Sequence, residues 1–138
     1  MQLTPLEYQQ VTAGKLDSEN LRRFFWSWTV KEAYTKAVGF GLGFEFRRVE
    51  FDAVANVVRV DGTTLSGWRF IKFVTFIDGD DYQGVTAEYV GGDHLEIIPE
   101  TSELPNYLKK CDAVPFIEKA LQLLVHPLEH VDDSMYIA

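Results

Sequence analysis

The chain has 138 residues, of which 46% are apolar and 14% aromatic, and its formal net charge is −8. That length and apolar content suit a single domain with its own hydrophobic core. The negative charge argues against nucleic acid as a partner, and no stretch approaches the about 18 apolar residues of a membrane span, so we expect no membrane insertion.

Residues near the start of the chain predict a short helix. Thr4 is a typical N-cap residue and Pro5 a typical first helical residue, so a short helix is predicted from this point to about Ala13. Gly14 is expected to close it.

A long helix is predicted next, from about Ser18 to Val38. Asp17 or Ser18 is expected to cap its start, and Gly39 to end it. The large apolar side chains lie mostly on and beside one stripe, which we expect to pack on a sheet: Leu21, Phe24, Phe25, Trp28 and Tyr34.

Three charged residues on this helix form a candidate site. Glu32 and Lys36 are four residues apart and share a face, while Lys31 lies on the flank. A carboxylate beside ammonium groups suits a magnesium-bound phosphate ligand, because the metal takes hard oxygen and the phosphates take positive charge. The spacing alone favours the alternative of an ordinary solvent-exposed ion pair.

Strands follow the long helix. Four are predicted, with a fifth at the edge: Arg47–Asp52, Val57–Asp61, Trp68–Ile77, Tyr82–Val90 and His94–Ile98. Turns are expected at Asp61-Gly62 and at Asp78–Asp81. Pro99 is expected to end the fifth strand, because proline cannot donate to a ladder.

A loop is predicted over residues 99–112 and a helix over Ala113–Val125, with Pro115 in its first turn. The predicted fold is therefore α+β, with the long helix packed on a mainly antiparallel sheet of three to five strands. We expect one domain over residues 1–138, in which residues 99–138 form a loop and a helical tail.

The single cysteine and the histidines give little indication of a catalytic or metal site. The single cysteine, Cys111, excludes an internal disulfide and fits a reducing compartment, so a cytoplasmic location is expected. His126 and His130 could share a metal on a helix, but Pro127 between them argues against that helix.

The segment from Phe24 to Asp52 resembles the signature of 4'-phosphopantetheinyl transferases of the surfactin-synthetase-activator type. It is most similar to the eukaryotic group that includes the aminoadipate-semialdehyde dehydrogenase phosphopantetheinyl transferase. The shared elements are Trp28-x-x-Lys31-Glu32-Ala33, a second lysine at Lys36, Gly39-x-Gly41-Leu42 and a closing Val49-Glu50-Phe51-Asp52. A weaker resemblance continues through Trp68-Arg69-Phe70 and ends near residue 91.

This resemblance implies a function. Such enzymes transfer the 4'-phosphopantetheine group of coenzyme A to a serine of an acyl or peptidyl carrier protein and require magnesium. By resemblance, Glu32 would be a magnesium ligand, and Lys36 would contact the phosphates and assist deprotonation of the serine. Lys31 would add charge towards a coenzyme A phosphate, and Trp28 would help to hold the helix in place.

One part of the family pattern is absent. The family carries an acidic Asp-x-Glu pair on a strand well upstream of the helix, whereas Asp17-Ser18-Glu19 reads as the start of the helix itself. The chain thus resembles the carboxy-terminal half of the family. We expect it to self-associate or to pair with a separate amino-terminal half. The alternatives are a non-catalytic half that binds coenzyme A or a carrier protein, and a self-associating interaction domain.

Carrier proteins are usually acidic, so their docking would need a local basic patch. Six basic residues are candidates: Arg22, Arg23, Lys31, Lys36, Arg47 and Arg48. An ordinary solvated face explains the same residues equally well.

Overall fold

A computed structural model describes residues 3–125. The chain forms two compact units, which divide after Pro105. None of the helices in the described range is long and apolar enough to cross a membrane.

The first unit contains two helices and two three-stranded sheets. Its elements, in chain order, are α1 (Pro5–Thr12), α2 (Asp17–Val38), a short 3-10 turn (Phe46–Arg48), β1 (Val49–Asp52), β2 (Val57–Val60), β3 (Thr63–Thr64), β4 (Trp68–Ile77), β5 (Asp80–Tyr89) and β6 (Leu95–Thr101). One sheet has the order β1-β2-β3 and is antiparallel. The other has the order β5-β4-β6, with β5 antiparallel and β6 parallel to β4. The α+β class is confirmed, and the strands are shared between two small sheets.

The two helices begin differently. At α1 the predicted cap is confirmed: Thr4 Oγ1 accepts from the Glu7 amide, and Glu7 Oε2 accepts from the Thr4 amide. At α2 the predicted cap is wrong, because Leu16 holds the N-cap position in extended conformation and no side chain caps the helix. Asp17 is already helical, so its carboxylate acts on the positive end of the helix dipole from within the first turn.

Only Tyr34 of the predicted stripe belongs to the buried core, which otherwise uses a different face of α2. Trp26, Val30 and Tyr34, each four residues from the next, are buried together with residues of both sheets. Leu21 and Phe25 are exposed instead. Apolar side chains occur on several faces of this helix, so the sequence pattern alone does not select the face that packs.

Strand β6 also differs from expectation. It lies at the edge of its sheet, as predicted, but continues through Pro99 to Thr101. Its pairing with β4 is interrupted between Ile71 and Phe73, opposite the proline. An edge strand tolerates proline there because a missing N–H is not required by a second neighbour.

The second unit contains α3 (Ala113–Val125), with the bounds predicted from the sequence. Cys111 precedes it and is exposed. His126 and His130 lie outside the described residues, so their predicted spacing has no structural counterpart here.

A buried ion pair connects the elements of the first unit. Lys31 Nζ lies 2.6 Å from Glu7 Oε2, and both side chains are at most 1% exposed. The Thr4 amide donates to the same oxygen at 2.8 Å, and the Phe51 amide donates to Glu7 Oε1 at 2.9 Å. One carboxylate therefore joins the start of α1, the middle of α2 and strand β1.

Replacing Glu7 with glutamine should destabilise the chain strongly. The Lys31 ammonium would stay buried without its counter-charge, a loss of about 3–5 kcal/mol in the free energy of unfolding. Urea denaturation measures this. Glu19→Gln is the control, since it breaks an exposed ion pair with Arg23 and should cost about 0–1 kcal/mol. Equal effects of the two substitutions would contradict the structural role of Glu7.

Acid should weaken the fold through Asp52. Hydrogen bonds from the Ala55 amide, the Gln10 side chain and Arg59 hold the pKa of Asp52 below its usual value. A lowered folded-state pKa gives stability that is present at neutral pH and lost as the pH falls through that lowered pKa. Asp52→Asn should therefore lower stability at neutral pH and flatten its decline in acid. Urea midpoints from about pH 7 to about pH 2.5 test this, and an unchanged acid slope would contradict it.

Candidate functional site

The second half of α2 presents the two residues predicted to act together. Glu32 Oε2 lies 3.2 Å from Lys36 Nζ, as the four-residue spacing predicts. The Glu32 side chain is 25% exposed and the Lys36 side chain 78% exposed. Both groups are thus accessible to a ligand, the carboxylate from a partly enclosed position.

Glu32 lines a cleft of about 530 Å³. Trp28, one turn earlier on α2, forms part of the same wall. The other wall is the segment between α2 and β1: Leu42, Gly43, Phe44, Glu45 and Phe46. Trp28 therefore borders the site directly, and Glu45 adds a second carboxylate-bearing residue that sequence reasoning did not single out.

Backbone geometry after α2 brings this second wall back towards the helix. Gly39 ends α2 with φ 72°, and Gly41 follows with φ 70°. Phe40 and Phe44 then stack with their rings 4.3 Å apart, and the Arg48 guanidinium lies 5.1 Å from the Phe44 ring centre. The predicted helix end at Gly39 is confirmed, and aromatic stacking shapes the turn beyond it.

Lys31 is not brought together with Glu32 and Lys36. Its ammonium group lies inside the first unit against Glu7, and it is absent from the cleft lining. Burial lowers the pKa of Lys31, while the hydrogen bond and charge of Glu7 oppose that shift. Its role towards a coenzyme A phosphate stays a prediction.

The carboxylates of the cleft are the candidate ligands for a metal ion. Residues 3–125 contain no group of three or more His, Cys, Asp or Glu side chains able to hold a metal ion. Magnesium in phosphoryl-transfer sites is commonly held by one or two carboxylates together with substrate phosphates and water. Glu32 fits one such position, and Glu45 lines the same cleft.

The six candidate docking residues do not present free positive charge as a group. Five make ion pairs within the chain: Arg22 with Glu100, Arg23 with Glu19, Lys31 with Glu7, Lys36 with Glu32, and Arg48 with Asp61. This pairing favours the interpretation of these residues as ordinary charged surface and internal contacts.

Comparison with known proteins places the chain in a family. The family model described as the 4'-phosphopantetheinyl transferase superfamily matches residues 1–87, which include both helices and the cleft. The chain belongs to this superfamily, as its sequence signature predicted. Residues 24–52, on which that prediction was based, lie wholly within the matched region.

Two individual relatives support the same family assignment. The 4'-phosphopantetheinyl transferase pptA of Paxillus involutus is 44% identical over 125 residues, which cover 90% of this chain and 46% of that protein. The L-aminoadipate-semialdehyde dehydrogenase-phosphopantetheinyl transferase of Homo sapiens is 39% identical over 111 residues, 72% of this chain and 35% of that protein. The chain thus spans less than half the length of these relatives. Similarity also extends past residue 91, where the sequence-based resemblance was expected to end.

Substituting Gly39 should loosen the end of α2. An alanine there would meet no atom within 4 Å, so its cost is the strain of a positive φ, about 1 kcal/mol. Gly43→Ala is the matched control, because Gly43 has equally open surroundings and no positive φ. Thermal or urea unfolding compares the two, and equal stabilities would contradict the assigned role of Gly39.

Proposed function

We propose that this chain supplies the Glu32–Lys36 part of the active site of a 4'-phosphopantetheinyl transferase. The reaction transfers the 4'-phosphopantetheine group of coenzyme A to a serine of an acyl or peptidyl carrier protein. The observation that carries this proposal is the Glu32–Lys36 pair, 3.2 Å apart, in the part of the chain that matches the family. Glu32 lines the cleft, whereas Lys36 is not among its lining residues and is highly exposed beside it.

The proposed chemistry uses charge at this cleft. The serine oxygen attacks the phosphorus that bears the pantetheine arm, the bond from that phosphorus to the bridging oxygen breaks, and adenosine 3',5'-bisphosphate leaves with the electron pair. Lys36, highly exposed and near the carboxylate, can reach phosphate oxygens and neutralise the charge that develops on them. The serine proton passes to a basic group at the site, and we propose that Lys36 assists this deprotonation.

Magnesium is proposed as the metal of this site, with Glu32 as its ligand from this chain. When bound, it supplies positive charge to the diphosphate. Glu32 would provide one carboxylate, and substrate phosphates, water and acidic residues of an amino-terminal half would complete the metal site. Full activity is therefore proposed to need the amino-terminal half of the family as well.

A second candidate is a non-catalytic half that binds coenzyme A or a carrier protein. The exposed ion pair and the small number of carboxylates at the cleft favour binding over turnover for this chain by itself. The two candidates differ in one result. Binding of coenzyme A without any transfer, even with an amino-terminal half present, supports the second.

Transfer from labelled coenzyme A to an apo carrier protein tests the proposal. The chain is assayed alone and together with the region of the Paxillus involutus relative that lies outside the aligned segment. We expect transfer in the combined sample. Glu32→Gln and Lys36→Met should each lower it by about 100-fold or more, because each removes charge that stabilises the transition state.

Glu19→Gln controls for loss of a glutamate on the same helix. Glu19 makes an exposed ion pair four residues from its partner, as Glu32 does, but is absent from the cleft lining. Its substitution should change transfer by less than about twofold. Near-normal rates for both Glu32→Gln and Lys36→Met, with circular dichroism unchanged, would refute the assigned roles.

A further inference from the structure

The two walls of the Glu32 cleft both carry a large apolar side chain that is open to solvent. Trp28 lines one wall and Leu42 the other, and Leu42 is completely exposed. Phe40, in the same turn as Leu42, is also exposed. Single exposed apolar side chains are common on protein surfaces, but a group of them beside one cleft is typical of a surface that a partner covers.

Leu42 makes no contribution to the hydrophobic core of the first unit. It is neither one of the buried core residues nor one of the apolar residues packed against them. The residues on either side of it hold the turn in place: Phe40 stacks on Phe44 with ring centres 4.3 Å apart and meets the Tyr34 ring edge-on at 6.4 Å. Leu42 is therefore held at the surface by an anchored turn and is itself left exposed.

The position of Leu42 places it where a protein substrate must make contact. Under the proposed function, the serine oxygen has to reach a phosphorus atom held at the cleft, so the protein that carries the serine must lie against the rim. A standard protein–protein interface covers about 800 Å² on each partner, a patch roughly 30 Å across. Such a patch centred on the cleft includes both of its walls, and Leu42 lies on one of them.

We propose that Leu42 anchors the carrier protein on this chain, with Trp28 and Phe40 as the apolar surface around it. The carrier protein is expected to present an apolar surface beside its serine, because a leucine side chain gains from leaving water only against apolar groups. This inference rests on the proposed function and extends it. Glu32 and Lys36 act on the diphosphate, whereas Leu42 binds the protein substrate.

Steady-state kinetics of transfer from labelled coenzyme A test the proposal. The chain is combined with the region of the Paxillus involutus relative that lies outside the aligned segment, and the concentration of apo acyl carrier protein is varied. Leu42→Ser should raise the KM for the carrier protein by about tenfold, since an apolar anchor of the interface is lost. The kcat and the KM for coenzyme A should each change by less than about twofold, because Leu42 takes no part in phosphoryl transfer.

Two further variants make the result specific. Leu42→Met keeps an apolar side chain of similar size and should retain most of the affinity for the carrier protein. Val54→Ser is the matched control, because Val54 is a highly exposed residue of the turn between β1 and β2 and does not line the cleft. Its KM for the carrier protein should be unchanged. Leu42→Ser and Val54→Ser should both keep the urea midpoint of the unaltered chain, since neither side chain is buried.

A binding measurement separates this proposal from the proposed function. Apo acyl carrier protein is titrated into the isotope-labelled 138-residue chain, and amide signals are followed by NMR, which requires no transfer. Signals of residues 40–46 should shift, and Leu42→Ser should weaken binding by about tenfold. If no sample shows transfer, the proposed function fails, and these shifts and affinities still decide whether Leu42 binds the carrier protein.

The proposal is overturned if Leu42→Ser transfers with the same KM for the carrier protein as the unaltered chain, and the proposed function then stands without it. It is also overturned if Val54→Ser raises that KM equally. Sedimentation of the chain with the amino-terminal region tests a different occupant of this surface. Weaker association for Leu42→Ser, with an unchanged KM for the carrier protein, would show that the amino-terminal region covers Leu42 instead.

Discussion

The carboxylate of Glu7 joins three parts of the fold that are distant in sequence. It accepts hydrogen bonds from the Thr4 amide, the Phe51 amide and the Lys31 ammonium, all within the protein interior. Removing two charges from water is costly, and this arrangement offsets the cost by giving both carboxylate oxygens hydrogen bonds. The pair also sets the rotation of α2 about its axis. With Lys31 facing inward, the next residue, Glu32, lies about 100° round the helix and faces the cleft.

Local sequence rules predicted those elements whose signals lie within a few residues. Thr4 capped α1 as expected, Gly39 ended α2, and the bounds of β4 and α3 matched the prediction. In each case a cap, a turn residue or a regular alternation determines the boundary.

Predictions that depended on contacts between distant parts of the chain were less accurate. The buried face of α2 depends on which apolar side chains meet the two sheets, and that choice is made by packing rather than by period. Strand β6 passes through Pro99 because it pairs in parallel with β4, more than 20 residues earlier, along one edge only. The parallel direction of β6 cannot be predicted from this segment alone.

The candidate site likewise contains one contact that the local sequence predicts and others that depend on the fold. The Glu32–Lys36 contact follows from a four-residue spacing and was predictable. The burial of Lys31 was not, since its partner Glu7 lies 24 residues away on another helix. Glu45 borders the cleft through the turn after α2, in which Phe40 and Phe44 stack, and this turn depends on contacts that the spacing of charged residues does not reveal. The fold therefore places two adjacent charged residues in different surroundings. Lys31 is buried against Glu7, and Glu32 lines the cleft.

The central claim, that Glu32 and Lys36 face a cation-bound diphosphate, is tested most directly by paramagnetic relaxation. Mn²⁺ replaces magnesium, and amide signals of the isotope-labelled chain are recorded with coenzyme A, in the presence of an amino-terminal half. The account predicts that coenzyme A and Mn²⁺ together broaden signals most strongly at Trp28–Lys36 and residues 42–46. Broadening centred elsewhere, with these signals unaffected, would contradict it.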